Sequence, residues 1–299
     1  MRASIAFVTV AALAAGAVAT PADIFQYNLI VTGNLDTNQE VEGRTIVGGN
    51  LTGPSAQFGF GLLPRPQYLG IDVLTVGGNI NMTNIQMEAG DLRRAGTRNA
   101  NLNFNGGGTE IVDASVAGIG AARAADLVSL SSFYSGLIAN STIQAPNGQP
   151  APLKFFANPD ADGVAVFSIS ASTLASNLVQ QIELTANGAT SIIVNVTGAT
   201  LNFNQGNFVG AWASQAVREI TLWNFADAAD ITLDRHWNGA ILAPHAHLTN
   251  TTAIEGSVYV SSMTMRGEVH LPLYTGITPT PGTFAMLGLA GLAGLRRRR

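Results

Sequence analysis

The stretch that decides the fold runs from Glu219 to Gly276 and reads EITLWNFADAADITLDRHWNGAILAPHAHLTNTTAIEGSVYVSSMTMRGEVHLPLYTG. Its short apolar runs are Ile220 to Leu222, Ile231 to Leu233, Ala240 to Ala243 and Ser257 to Val260. Each ends at Asn, Asp, Gly, Pro or a polar pair, the pattern of short strands and tight turns. Runs this short cannot bury a face alone and have to stack on their neighbours. The regular return of a Gly or Asn corner points to a coil of strands rather than a hairpin sheet.

The same punctuation occurs near the N-terminus. NLIVTGNL, EVEGRTIVGGNL and LTVGGNI place Gly33-Asn34, Gly49-Asn50 and Gly78-Asn79 after apolar runs. A Gly-Asn corner suits a coil because both residues accept φ > 0 and stacked Asn side chains can satisfy backbone groups along the turn. The competing reading is ordinary hairpin glycines in an unrelated β fold. Pro54, Pro64 and Pro66 make Gly53 to Pro66 a loop. Ala189 to Phe203 is strongly β-branched and reads as two stacked strands with a corner at Gly198. The motif LNFN, at Leu102 to Asn105 and again at Leu201 to Asn204, suggests similar rungs in both halves.

One segment changes period. Between Ala121 and Ile138, Leu127, Leu130, Phe133 or Tyr134, and Leu137 fall three to four apart among helix-favouring alanines, which predicts a helix with its apolar stripe along the flank of the coil. Pro146 to Pro152 reads as a loop and Val164 to Ile169 as a strand, while Ser172 to Leu184 is compatible with strand or helix.

Composition narrows the class. Of the 299 residues, 46% are hydrophobic, 7% aromatic and 11% charged, with 33 glycines. Ala, Val, Ile and Leu must therefore build most of the core, and thin repeated strands fit better than amphipathic helices with charged outer faces. There is no cysteine, hence no disulfide framework. Arg2 and the four terminal arginines, Arg296, Arg297, Arg298 and Arg299, lie outside all the acidic residues, leaving a body with ten basic and nineteen acidic residues, near −9. Such a surface repels phosphate backbones, which argues against nucleic-acid binding.

The two ends read as targeting signals. Arg2, the 14-residue apolar run Ile5 to Val18, and Ala17-Val18-Ala19 before Thr20 form an export signal, shorter than the about 20 residues a membrane span needs. The expected organisation is a signal peptide at 1–19, a body at 20–276 and a tail at 277–299. The tail has a Pro-rich stem, an apolar segment Phe284 to Leu295 and the arginines Arg296, Arg297, Arg298 and Arg299. Its roughly twelve apolar residues reach only about 18 Å as a helix, so it would hold the membrane transiently, with the arginines on the cytoplasmic side.

Several of these motifs carry a family resemblance. LWNF (Leu222 to Phe225), GAILAPHAHL (Gly239 to Leu248), IEGSVYVSS (Ile254 to Ser262) and GEVH (Gly267 to His270) resemble the closing half of the choice-of-anchor A domain. VEGRTIVGGNL (Val41 to Leu51) resembles its opening. That family comprises exported bacterial surface proteins with a shared body and different C-terminal anchors. The resemblance implies a mainly β chain: a right-handed parallel β-helix (β-solenoid) of the ice-binding-like adhesive kind, with one flanking α-helix. The tail resembles a PEP-CTERM sorting signal, with Pro279-Thr280-Pro281 standing where that signal usually has Pro-Glu-Pro and with Arg296, Arg297, Arg298 and Arg299 as its basic end. This implies an exosortase-like processing protease acting on the tail.

Little in the chain announces chemistry. His245 and His247 alternate and would share a strand face. With Glu255, Glu268 or His270 they are candidates for a metal site, although no HExxH-type spacing accompanies them. Asn158 to Gly163 has the first half of a calcium loop in Asp160 and Asp162, but Ile169 stands where the loop needs Glu, and an Asx turn is the simpler reading. The cluster Arg93, Arg94 and Arg98 reads either as an anionic-ligand contact or, more simply, as a solvated turn offsetting acidic surface. No nucleophile elbow, cysteine or phosphate loop is present, and the only lysine is Lys154.

The expectation is therefore a non-catalytic surface or extracellular-matrix protein with no cofactor and no assigned metal. It would be anchored transiently in the inner membrane, and would meet polysaccharide or other surface proteins. A polysaccharide lyase-like enzyme on a β-helix is the alternative, weakened by the scarcity of cations to meet a substrate carboxylate. Ice binding is a third reading, weakened because Thr249-Asn250-Thr251 is the body's lone Thr-x-Thr.

Overall fold

The computed structural model describes residues 21–278. Almost all strands are short and paired in parallel, and they form three faces of one coil. The first face stacks ten: Val164–Ser170, Ser191–Thr197, Thr221–Asn224, the starts of Ala240–Asn250 and Val258–Met265, then Leu29–Val31, Thr45–Val47, Asp72–Val76, Asp91–Arg94 and Glu110–Val112. The second face begins at Thr200–Phe203 and Asp230–Leu233. It continues through the ends of Ala240–Asn250 and Val258–Met265 to Leu35–Thr37 and the starts of Leu51–Phe58, Ile80–Met87 and Arg98–Phe104. The third runs from Trp237–Asn238 through Ile254–Glu255, Val269–His270 and Glu40–Val41 to the ends of those same three strands.

Order along the coil is not order along the chain. Leu29, Ile30 and Val31 pair with Val258, Tyr259 and Val260 on one side and with Thr45, Ile46 and Val47 on the other. The chain thus starts in the middle, winds outward to Glu110–Val112, returns along the side, and winds from the far end back to meet its own beginning. The returning segment is the helix Ile119–Ser135, preceded by a 3-10 turn, Ala114–Gly118, capped by Asp113. Its 17 residues cover about 25 Å, against about 43 Å for nine strand spacings, so it bridges rather more than half the first face.

Burial explains the sequence pattern. On the first face the inward residues Leu29, Val31, Val47, Val76, Val258 and Val260 fill the coil, while the outward residues Ile30, Ile46, Leu242 and Tyr259 pack under Leu127, Leu130 and Tyr134 of the helix. Both sides are covered, so these strands read as continuous apolar runs. At Asn224 and Asn195 this contact is polar. Asn224 Oδ1 accepts from Ser131 Oγ at 2.6 Å, and Asn195 Nδ2 donates to the Tyr134 carbonyl at 2.9 Å. At the Val164 end a small sheet of Thr142–Gln144, Ala151–Phe156 and Val179–Thr185 closes the coil. There Phe155 meets Phe167, Trp212 and Trp223 edge-on, and all three tryptophans are buried. Aromatic rings concentrate at this plug, with a second group, Phe25, Tyr134, Tyr259 and Tyr274, in contact beneath the helix.

Several expectations need correction. Gly33, Gly49 and Gly78 do not take positive φ. They are needed for close approach, because a Cβ on Gly49 would sit 2.8 Å from the Gly33 carbonyl carbon and one on Gly78 2.5 Å from the Gly49 oxygen. The asparagines do ladder as expected: Asn50 N donates to Asn34 Oδ1 and Asn79 N to Asn50 Oδ1, both at 2.8 Å, and Thr97 N to Asn79 Oδ1 at 2.9 Å. Leu51–Phe58 is a strand despite Pro54, which sits at the bend between the second and third faces. Gly53 and Ser55 pair with Met82 and Asn84, so the missing N–H costs no ladder bond there. Ser191–Thr197 and Thr200–Phe203 turn at Gly198 as expected but occupy different faces instead of stacking on each other. The two LNFN copies likewise lie on the third and second faces. Ser172 to Leu184 divides into the end of a short helix, Ala171–Leu174, and the strand Val179–Thr185.

The helix contact makes a direct stability prediction. Leu130→Ala should cost about 2–5 kcal/mol in chemical denaturation, whereas Ile138→Ala, at a position 88% exposed, should stay within about 0.5 kcal/mol.

Candidate functional site

Two outward surfaces gather polar side chains. On the second face, register aligns Asn202, Thr232, Thr249, Thr264, Asp36, Thr52, Asn81 and Asn99 in one column. Parallel pairing sets these about 4.8 Å apart. Beside it run Thr200, Asp230, His247 and Ser262, and the Asn34, Asn50, Asn79 and Thr97 ladder flanks the N-terminal half of the column. None of these side chains is buried. The column crosses the junction between the chain's last and first coils without a break, at Thr264 and Asp36.

Sequence reasoning missed this surface. Of Thr249-Asn250-Thr251, only Thr249 belongs to it. Asn250 is buried, donating to the Gly267 carbonyl at 2.9 Å, and Thr251 turns to Asp234. The repeat is one polar residue between inward neighbours, as in Ile231-Thr232-Leu233, Met263-Thr264-Met265, Leu35-Asp36-Thr37 and Ile80-Asn81-Met82. The triplet marks an outward residue on a strand but not which strands are neighbours, so the column itself has no signal in the linear sequence.

The third face carries charge. Pairing of Val41 with Val269 brings Glu40 and Glu42 beside Glu268 and His270. His270 lies between two carboxylates, Nδ1 being 3.0 Å from Glu255 Oε1 and Nε2 2.8 Å from Glu268 Oε2. Glu255 is also held by Arg218 at 2.7 Å and His236 at 3.2 Å. Burial lowers the His270 pKa, but the hydrogen bonds to Glu255 and Glu268 and the charge of Glu42 outweigh it and hold the imidazole above its ordinary value. Burial pushes the Glu255 carboxyl up, yet hydrogen bonds from His270 and His236 with the Arg218 charge bring it net below the usual range. Glu40 is pushed up by burial and then by the charge of Glu268. Glu40, Glu268 and His270 each present a ligand atom within 4.8 Å of the others, the one such group among the described residues.

The other sequence candidates lie elsewhere. His247 Nδ1 is 2.8 Å from Ser262 Oγ on the second face, while His245 borders a groove beside the helix with Ser131, Ser135 and Asp227. The corner between them separates the pair, and neither joins the cluster around His270. Asp160 Oδ1 accepts from the backbone N–H of Asp162 at 3.0 Å and Val164 at 2.9 Å, which is an Asx turn. Arg93, Arg94 and Arg98 are not a solvated turn. They lie on or beside strands, paired with Asp72, Asp113 and Glu110, so their charge is already answered. The export signal with Ala17 and Ala19 lies outside the described residues, and so do the tail residues Pro279, Thr280, Pro281, Arg296, Arg297, Arg298 and Arg299. No helix among the described residues is long and apolar enough to cross a membrane.

A family model described as "Putative Ice-binding-like adhesive domain" matches residues 21–271. Among solved structures, the chain is similar to an ice-binding protein from the Antarctic ascomycete Antarctomyces psychrotrophicus at 13% identity, with 84% of this chain and 97% of that one covered and a TM-score of 0.34. An ice-binding protein from an Antarctic biological consortium matches at 13% identity, 89% and 97% coverage and a TM-score of 0.38. A glycosylated ice-binding protein from an Arctic yeast matches at 10% identity, 89% and 97% coverage and a TM-score of 0.34. No curated protein matches the chain.

The arginine pairing sets a pH test. Glu110 is lowered from 4.5 to about 2, mainly by its hydrogen bond from Arg98, against burial and with help from Arg94. A carboxylate with a depressed folded value contributes stability above its unfolded pKa and loses it as pH falls through the folded one. The stability advantage of the native chain over Glu110→Gln should therefore be constant at neutral pH, shrink below pH 4.5 and vanish near about 2, measured by urea titration at each pH.

Proposed function

The chain belongs to the ice-binding-like adhesive domain family, and from that premise we propose that it is an exported, non-catalytic bacterial surface or extracellular-matrix protein. In this reading it is a choice-of-anchor A-type protein whose coil is right-handed, the hand that parallel crossovers almost always take. The signal at 1–19 is removed, the body spans 20–276, and the tail at 277–299 holds the chain at the inner membrane, with Arg296, Arg297, Arg298 and Arg299 on the cytoplasmic side, until an exosortase-like protease processes it.

The observation that carries the proposal is the second-face column. A rigid, flat row of hydroxyls and amides at about 4.8 Å spacing offers donors and acceptors with little ordering cost. Apart from Asp36 it is uncharged, whereas the body as a whole is acidic. Its fitting partner is a neutral, hydroxyl-rich polysaccharide or a surface protein decorated with one. The unbroken threonines Thr232, Thr249 and Thr264 also favour a second reading, ice as the ligand, because they supply the stacked ladder that the linear sequence lacks.

A glycan array with the body, set beside a thermal-hysteresis measurement, decides between the two ligands. Thr249→Arg with Thr264→Arg should reduce binding at least about tenfold, or ~1.4 kcal/mol, with the melting temperature unchanged. Unaltered binding would remove this face from the proposal, and soluble product released from a polysaccharide panel would replace it with the lyase reading. Deleting 277–299 should shift the protein from the cell exterior into the medium, and an unchanged distribution would refute the sorting role.

A further inference from the structure

The third face holds a feature that adhesion does not use. Glu40 comes from the first coil and Glu268 and His270 from the last, and the pairing of Val41 with Val269 fixes them side by side. We propose that Glu40, Glu268 and His270 bind a divalent cation of the zinc class, which staples the chain's beginning to its end.

The geometry points this way through His270. Its Nδ1 faces Glu255 Oε1, and Glu255 is itself anchored by Arg218 at 2.7 Å. With Nδ1–H donated to that carboxylate, the Nε2 lone pair is aimed outward, as in carboxylate–histidine–metal arrangements where the second carboxylate orients the ring. What Nε2 meets is Glu268 Oε2 at 2.8 Å. Two acceptors at that distance need a positive bridge, either a proton or a metal ion.

A proton on Nε2 satisfies Glu268 alone. The Glu40 carboxylate makes no hydrogen bond or ion pair with any described residue, although it lies within 4.8 Å of both other ligand atoms. A metal ion answers all three donors at once. Tetrahedral ligands about 2.1 Å from zinc lie about 3.4 Å apart, a spacing these half-buried side chains reach with small rotations. One imidazole with two carboxylates, leaving a position for water, suits zinc or manganese. Calcium takes oxygen ligands throughout and is disfavoured by the ring nitrogen.

The test is titration of the untagged, EDTA-stripped full chain with zinc ion by calorimetry, with calcium ion as the hard-cation comparison and thermal melting alongside. The expected result is one zinc per chain, bound at least about tenfold tighter than calcium, with a rise in melting temperature. Glu40→Gln should keep the metal-free melting temperature and weaken zinc binding at least about tenfold, and His270→Gln should abolish saturable binding. His245→Gln with His247→Gln should leave it unchanged. Absence of saturable zinc binding by the native chain, native affinity in Glu40→Gln, or loss of binding in the His245 and His247 double variant would overturn the proposal. The adhesion assay is independent of each of these outcomes.

Discussion

The structure depends on one closure: the pairing of Leu29, Ile30 and Val31 with Val258, Tyr259 and Val260. Each half of the chain makes a stack of coils with an open edge, and an open parallel edge exposes unpaired backbone groups and an unfinished core. Joining the two edges removes both liabilities at once. Asn28 secures the junction from a fully buried position. Its Nδ2 donates to the His270 carbonyl at 2.9 Å and its Oδ1 accepts from Gly43 N–H at 3.0 Å, tying the last coil to the turn of the first. The strand pairing and the Asn28–His270 contact each join residues more than two hundred apart in sequence, so closing this loop is costly in chain entropy.

The helix follows from that closure. A chain that begins in the middle of its own coil has to travel from one end to the other before it can wind back, and a helix makes rather more than half of that journey with its backbone bonds satisfied internally. Lying on the first face, it turns a half-exposed sheet into a doubly buried one. The second and third faces are left open along their length, and they differ in kind. The second offers regular, mostly neutral hydroxyls and amides, and the third concentrates the carboxylates of Glu40, Glu42, Glu255 and Glu268 around one imidazole at the junction. The apolar cover thus lies on one side of the coil and the polar and charged arrays on the others.

The ends of the coil are finished by different means. At the Val164 end a three-stranded sheet and a cluster of aromatic rings, from Phe155 to Trp237, fill the interior in edge-on contacts. At the other end, Arg94 and Arg98 share Glu110, and Arg93 spans Asp72 and Asp113, an ion-pair mesh across the last strands. Charges along an outer strand also discourage pairing with foreign edges.

The short strands, the helix expected within Ala121 to Ile138 and found at Ile119–Ser135, and the stacking of the Gly-Asn corners could be read from the chain alone, because each is written within a few residues: short apolar runs, a three-to-four period, a repeated dipeptide. So could the acidic body and the lack of catalytic motifs. That Val258–Met265 neighbours Leu29–Val31 emerged from the folded arrangement, because parallel pairing across the chain leaves no local signature. The same cause hid the Thr column, in which each strand supplies a single residue, and the cluster of Glu40 with Glu268, whose partners are remote in sequence. The glycines illustrate the limit most directly. Their positions were legible, but the reason for them, backbone from successive coils in near contact at Gly33, Gly49 and Gly78, exists only once the coils are stacked.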